Sequence, residues 1–254
     1  RNAAAGILLG GALGAVLPMC ECGIVVVIRR LLQKGLPLSN AMAYMLAAPV
    51  VNPIVAVSTY AAFRGQGPLE MMLCRIGLSF AVAVIMAGLV YFLRRGFVLR
   101  PDLVLPEGTD EHHDHRSGRG KAAAAVRAAT GDFLDVTVFF VLGAAVATLF
   151  NTSVNQQVIM PLAEDRALAV GSMMALASLL SLCSTSDAFV APTFTAFPSA
   201  SKLAFLVFGP VVDLKLVFIY GLVFRKRFIV FLVAGLAILV FVLCAFLPIP
   251  NFRG

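Results

Sequence analysis

The feature that most constrains this chain is its series of long apolar stretches. Each can cross the hydrocarbon core of a bilayer, which takes about 20 helical residues. They lie at 38–63, 69–93, 133–150, 203–224 and 228–247. Of the 254 residues, 60% are apolar and 13% are charged, about half the charged fraction of a soluble domain. This composition excludes a soluble globular domain, a disordered tail and a disulfide-rich secreted module. It predicts an all-α polytopic membrane protein.

Two further apolar segments are interrupted by short polar motifs. The first is broken by Cys-Glu-Cys-Gly at 20–23, the first tip, and the second by Cys-Ser-Thr-Ser-Asp at 183–187, the second tip. The arms are too short to span a bilayer alone, because about 15 helical residues cover only about 22 Å. Two short arms around a polar tip are typical of a re-entrant hairpin, which is tolerated where protein or water satisfies the backbone.

Basic residues orient these segments by the positive-inside rule. We attribute the net charge of +7 to lysines and arginines in cytoplasmic loops and not to a nucleic-acid-binding surface. Arg29, Arg30 and Lys34 place the base of the first hairpin inside. The basic run at 225–227 places the C-terminal end of the 203–224 span inside. The loop after residue 93 is then cytoplasmic, and the segments 64–70 and 151–166 lie outside. We expect a multi-pass protein of the plasma (inner) membrane.

The order hairpin, span, span occurs twice, which predicts inverted repeats. Residues 1–93 form the first repeat, 94–131 a cytoplasmic linker, and 132–254 the second repeat, which begins with an extra span. We therefore expect that a first span is absent from this chain. The copies also match locally, in Pro-Val-Val-Asn at 49–52 and Pro-Val-Val-Asp at 210–213. Secondary transporters have this architecture, with their sites near the midplane at helix breaks.

The two tips supply the predicted substrate-binding residues. Thiolates bind soft cations and metalloids, and a carboxylate beside them can act as proton carrier or countercharge. The alternative is that the thiols pack as small hydrophobes and that the hydroxyls only satisfy the hairpin backbone. The predicted residues are Cys20, Glu21, Cys22, Gly23, Cys183, Ser184, Thr185, Ser186 and Asp187.

The two proline motifs supply the predicted helix-break and coupling residues. Proline frees a backbone carbonyl, so we expect the spans to kink there. Lys215 lies deep within a span and needs a carboxylate partner. Residues two apart do not face each other on a regular helix, so Glu21 or Asp187 is a better partner for it than Asp213. The residues are Pro49, Asn52, Pro53, Pro210, Asp213 and Lys215.

No cofactor and no metal site are predicted. Two thiols separated by one residue cannot fill a tetrahedral zinc site alone. The three histidines lie at 112–115. We interpret this segment as a solvated linker and not as a metal-binding site. Cys74 and Cys244 lie mid-span among apolar neighbours and are predicted to pack there.

The motifs resemble those of the YraQ-type predicted permeases over almost the whole chain except the histidine-bearing loop. The resemblance implies a membrane permease and not an enzyme, and its ArsP-type relatives are implied to export trivalent organoarsenicals through cysteine thiolates. Two positions depart from the family pattern: Glu21 stands where a small residue is common, and Thr185 where an acidic residue is common. The matching runs are 17–23, 34–37, 47–53, 182–191, 203–205 and 209–215.

These observations predict a secondary efflux permease for a small solute, with a thiophilic species such as an organoarsenical or a soft metal as the leading cargo. Two alternatives stay open: an intramembrane thiol oxidoreductase that uses Cys20 and Cys22, and a membrane subunit of a multi-component transport complex. The expected partners are the lipid bilayer, a small-molecule or ion substrate, and either a second copy of the chain or an accessory subunit.

Overall fold

The structure is a computed structural model that describes residues 3–17, 19–93, 98–99, 165–221 and 223–246, without the side chains of Ala3 and Cys22. Within these ranges the chain is helical, with one isolated bridge between Leu99 and Phe224. The linker histidines and the span predicted at 133–150 lie outside the described residues.

The described helices fall into two halves with the same order of elements. The first half contains α1 (Ala3–Val16), α2 (Glu21–Gln33), α3 (Leu38–Ala47), α4 (Pro53–Ala62) and α5 (Pro68–Tyr91). The second half contains α6 (Arg166–Leu180), α7 (Ser184–Val190), α8 (Ser199–Phe208), α9 (Leu214–Tyr220) and α10 (Lys226–Phe246), with a 3-10 turn at Ala191–Thr193.

The last helix of each half is long and apolar enough to cross a bilayer. Helix α5 has 24 residues and α10 has 21, which correspond to about 36 Å and about 31 Å at the helical rise. These two helices match the spans predicted at 69–93 and 228–247.

The spans predicted at 38–63 and 203–224 are not continuous helices with a kink. Each is two short helices, α3 with α4 and α8 with α9, separated by breaks at 48–52 and 209–213. After each break a polar side chain caps the next helix: Asn52 accepts a hydrogen bond from the Val55 amide at 2.9 Å, and Asp213 accepts one from the Leu216 amide at 2.6 Å. A capping side chain starts a new helix instead of continuing the old one, so these motifs break the helix and do not merely bend it.

Glycines let α1 lie directly against α3. A Cβ atom added to Gly10 would lie 2.7 Å from the Asn40 carbonyl oxygen, and one added to Gly14 would lie 2.7 Å from Cα of Ala48. The later residue of α1 meets the later position along α3, so the two helices run parallel. The intervening α2 therefore returns the chain to the level at which α1 began.

Candidate functional site

Each of the four polar motifs places its key residue at the N-cap of a short helix. The N-cap residues are Cys20 of α2, Asn52 of α4, Cys183 of α7 and Asp213 of α9, all with extended backbone, and each except Cys183 accepts a capping hydrogen bond through its side chain. The equivalent residues of the two halves have nearly the same dihedral angles, with φ of −72° and −81° at the cysteines and −127° and −133° at Asn52 and Asp213. The polar residues predicted from the sequence therefore mark four interruptions of the helices.

The thiols of Cys20 and Cys183 are free and exposed. Cys20 Sγ accepts a long hydrogen bond from the Gly23 amide at 3.4 Å, and Cys183 Sγ lies 3.1 Å from the Ser186 hydroxyl. The Cys22 side chain lies outside the described residues. Cys244 is buried in the apolar core, and Cys74 packs against this core. These positions confirm the packing role predicted for both cysteines.

Lys215 is the most highly connected side chain of the site. Its Nζ lies 3.2 Å from Glu21 Oε1 and 3.2 Å from Asp213 Oδ2, and all three residues are buried, with exposures of 4%, 3% and 1%. Of the two carboxylates predicted as partners, Glu21 and Asp187, it is Glu21 that pairs with Lys215. The prediction that Asp213 does not face Lys215 was wrong, because Asp213 is the N-cap of α9 and not part of the regular helix, so its carboxylate turns toward Lys215.

The same ammonium group brings the two tips together. It donates hydrogen bonds to the carbonyls of Ser181 at 3.0 Å and Leu182 at 3.4 Å, which directly precede the second tip, while Glu21 belongs to the first tip. The Lys215 ammonium group thus contacts the first tip and the residues directly before the second tip. Lys215 itself lies in α9, which begins after the break at 209–213.

Arg75 is a site residue that the sequence reasoning missed. It lies in α5, within a stretch interpreted only as an apolar span, and it is fully buried. Its guanidinium donates to Thr59 Oγ1 at 2.7 Å and to the Ser184 carbonyl at 2.8 Å, which links α5 to α4 and to the second tip. A single arginine in a membrane span marks a functional site by default, and that signal was present in the sequence.

Asp187 is buried to 1% exposure and differs from the other carboxylates. Within the described part of the chain, neither of its oxygens has a hydrogen-bond partner. Arg75 and Lys215 act on it electrostatically, as do Glu21 and Asp213. We call Glu21, Arg75, Asp187, Asp213 and Lys215 the central cluster. Among the described residues, no group of three or more His, Cys, Asp or Glu side chains is placed to hold a metal ion.

Comparison with known proteins identifies the family. Residues 1–247 match the model of the ArsP_1 family, described as a predicted permease. The chain belongs to this predicted permease family. The match confirms the family resemblance inferred from the motifs, and it indicates a membrane protein of the permease class.

Two curated relatives cover nearly the whole permease. It is 36% identical over 244 residues to UPF0718 protein YcgR of Bacillus subtilis (strain 168), covering 94% of this chain and 80% of that protein. It is 29% identical over 248 residues to the "Putative two-component membrane permease complex subunit" of Streptococcus mutans serotype c (strain ATCC 700610 / UA159), covering 96% of this chain and 80% of that protein. No solved structure matches the permease.

In this permease, polar side chains from different helices lie together at the breaks between helices. Charged groups in hydrocarbon are costly unless they pair or face water. Two cations and three carboxylates nevertheless lie together here, next to the exposed thiols of Cys20 and Cys183 at two helix N-caps. The arrangement can bind a small polar or soft solute, and it can change when a charge in the cluster changes.

Proposed function

We propose that this permease is a secondary efflux carrier that binds a small thiophilic solute between its two tips. The observation that carries the proposal is the contact of Lys215 with Glu21 of the first tip and with the carbonyls that precede the second tip. In this proposal the tips are the ends of re-entrant hairpins in two inverted repeats, and the proline motifs are the points that rearrange during transport.

The packing of the helices supports re-entrant hairpins. Helices α1 and α3 run parallel, so α1 and α2 form two arms that enter and return. Between the halves, α2 of the first tip packs on α9, and α7 of the second tip packs on α4. Each tip helix thus packs on the helix that follows the proline motif of the other half, as two-fold related repeats require.

Three contacts support the division of the segments between the two membrane sides that the positive-inside rule gives. Each joins two segments that the rule places on the same side of the membrane, the first and third outside and the second inside. They are Lys202 Nζ to Gln66 Oε1 (3.0 Å), Arg225 Nε to the Leu99 carbonyl (2.9 Å) and Arg166 Nη2 to the Cys244 carbonyl (3.1 Å). We place this protein in the plasma membrane, the inner membrane of a bacterial cell.

The thiols favour a thiophilic cargo, such as a trivalent organoarsenical or a soft metal species. Cys20 and Cys183 are both exposed and occupy equivalent positions beside the central cluster. Cysteine sulfur is the soft ligand that such species prefer. A solute held by one thiol from each half would respond to any movement between the halves.

Efflux of phenylarsine oxide, a trivalent organoarsenical, tests this proposal. Cells that express the permease should accumulate less of the compound than cells without it. Cys20→Ser and Cys183→Ser should bring accumulation to the level without the permease, because a hydroxyl does not replace a soft sulfur ligand. Cys74→Ser is the matched control, since Cys74 is a partly buried thiol that packs against the apolar core and belongs to neither tip, and it should retain efflux. Unchanged efflux by both tip variants would remove the thiolate role.

A role as one subunit of a transport complex is the second candidate. The observation in its favour is the name of the Streptococcus mutans relative, which describes one subunit of a two-component membrane permease complex. Cross-linking in native membranes, followed by affinity purification of the permease, would reveal a partner protein. If the purified permease alone transports phenylarsine oxide in liposomes, no second subunit is required.

A further inference from the structure

The central cluster contains one more negative charge than positive charge. Its carboxylates belong to Glu21, Asp187 and Asp213, and its cations are Arg75 and Lys215. With every group ionised, the cluster carries a net charge of −1. All five residues are at least nine-tenths buried, and an uncompensated charge in such surroundings costs several kcal/mol or more.

The contacts show which carboxylate lacks compensation. Lys215 forms ion pairs with Glu21 and with Asp213 at 3.2 Å each. Arg75 directs its two hydrogen bonds to Thr59 and to the Ser184 carbonyl and not to a carboxylate. Asp187 is left as the carboxylate without an ion pair or a hydrogen bond to either oxygen, among the residues that the structure describes.

The Asp187 carboxylate lies directly against the backbone of Gly209. Gly209 faces it, and a Cβ atom at that position would lie 2.8 Å from Asp187 Oδ2. Of the helices packed on α7, α8 carries Lys202, which is directed to Gln66 instead. Glycine at position 209 therefore lets the Asp187 carboxylate lie in this buried position, where neither α4 nor α8 supplies it with a cation.

We propose that Asp187 binds one exchangeable monovalent cation, a proton or an alkali metal ion, which neutralises the central cluster. This inference deepens the proposed carrier function by naming the coupling site and the charge that it takes. When the cation leaves, the ionised carboxylate attracts the guanidinium of Arg75, which then exchanges its contact with the Ser184 carbonyl for Asp187. Since Ser184 belongs to the second tip, cation release is coupled to movement of that tip.

Thermal unfolding of the purified full-length permease in nanodiscs tests the proposal without any transport assay. Far-UV circular dichroism would give the Tm between about pH 5 and about pH 9 in choline chloride, and with increasing NaCl against choline chloride at the highest pH. A ligand that binds only the folded state stabilises it. A tenfold rise in the free concentration of the cation that binds should therefore raise the Tm of the wild type by roughly 3–5 °C once the site is nearly saturated. A response to acid identifies a proton, and a response to NaCl but not to choline chloride identifies an alkali ion.

The variants locate the response at Asp187. Asp187→Asn should abolish the response to sodium and reduce the response to acid to the part that the other titratable groups contribute, and at high pH without sodium its Tm should lie above that of the wild type, because the uncompensated charge is gone. Asp187→Ser should behave in the same way, and it provides the test if Asp187→Asn does not fold. Glu70→Gln removes an exposed carboxylate of α5 and should keep the wild-type response. Asp213→Asn should lower the Tm, since Asp213 is paired with Lys215 and caps α9.

Two results would overturn the proposal: a wild type whose Tm responds to neither cation, or an Asp187→Asn variant that keeps the full response. Both can be told apart from a failure of the proposed efflux function, because the Tm measurement uses no substrate. A permease that binds a cation at Asp187 but does not export phenylarsine oxide would keep this inference and lose the thiophilic cargo.

Discussion

Replacing Lys215 by Met is expected to destabilise the folded protein by about 3–5 kcal/mol. Met fills a similar volume but carries no charge, so Glu21 and Asp213 both lose the cation that lies 3.2 Å from each. The carbonyls of Ser181 and Leu182 lose their donor in the same step. A buried ion pair adds little net stability by itself, but removal of one partner leaves the other charge uncompensated.

Unfolding by sodium dodecyl sulfate in mixed micelles, followed by circular dichroism, measures this loss. Lys34→Met is the matched control, because Lys34 is exposed in the turn after α2, and it should change the free energy of unfolding by less than about 0.5 kcal/mol. If the two variants are equally stable, Lys215 does not hold the central cluster together.

Replacing Gly14 by Val is expected to destabilise the protein by about 3 kcal/mol or more. A Cβ atom at this position would lie 2.7 Å from Cα and 2.9 Å from the amide nitrogen of Ala48. Backbone atoms cannot rotate away as a side chain can, so α1 must separate from α3. Ala48 is the first residue of the break at 48–52, and the variant should therefore also impair transport of phenylarsine oxide.

Gly88→Val provides the comparison for this helix contact. Gly88 lies in α5, and nothing lies within 4 Å of a Cβ atom added there. Since valine is a somewhat better helix former than glycine, the variant should be neutral or slightly more stable in the same unfolding assay. Equal losses at positions 14 and 88 would mean that α1 does not pack closely on α3.

The sequence was informative where one side chain had a single physical requirement. Lys215 in an apolar span needed a buried carboxylate, and Glu21 supplies it. The two tips were recognisable because thiols and carboxylates interrupt apolar arms of insufficient length. In the same way, the long apolar runs predicted α5 and α10 directly.

Other features depended on local backbone geometry or on distant packing. Whether Asn52 and Asp213 bend a helix or start a new one depends on their capping bonds, and the Asp213–Lys215 pair exists only because of that geometry. Arg75 was overlooked because its apolar neighbours dominate the pattern, although a buried arginine was a readable signal. That Asp187 lacks a partner follows from contacts across five helices, which no local pattern encodes.

The central claim is that the two halves meet at the Glu21–Lys215 ion pair, and a double-mutant cycle measures this pair most directly. The free energy of unfolding would be determined for the wild type, Glu21→Gln, Lys215→Gln and the double variant. We predict that the double variant loses less stability than the sum of the single losses, with a coupling energy of about 1–3 kcal/mol. A coupling energy within about 0.5 kcal/mol of zero would contradict the account, because the two side chains would then not interact across the halves.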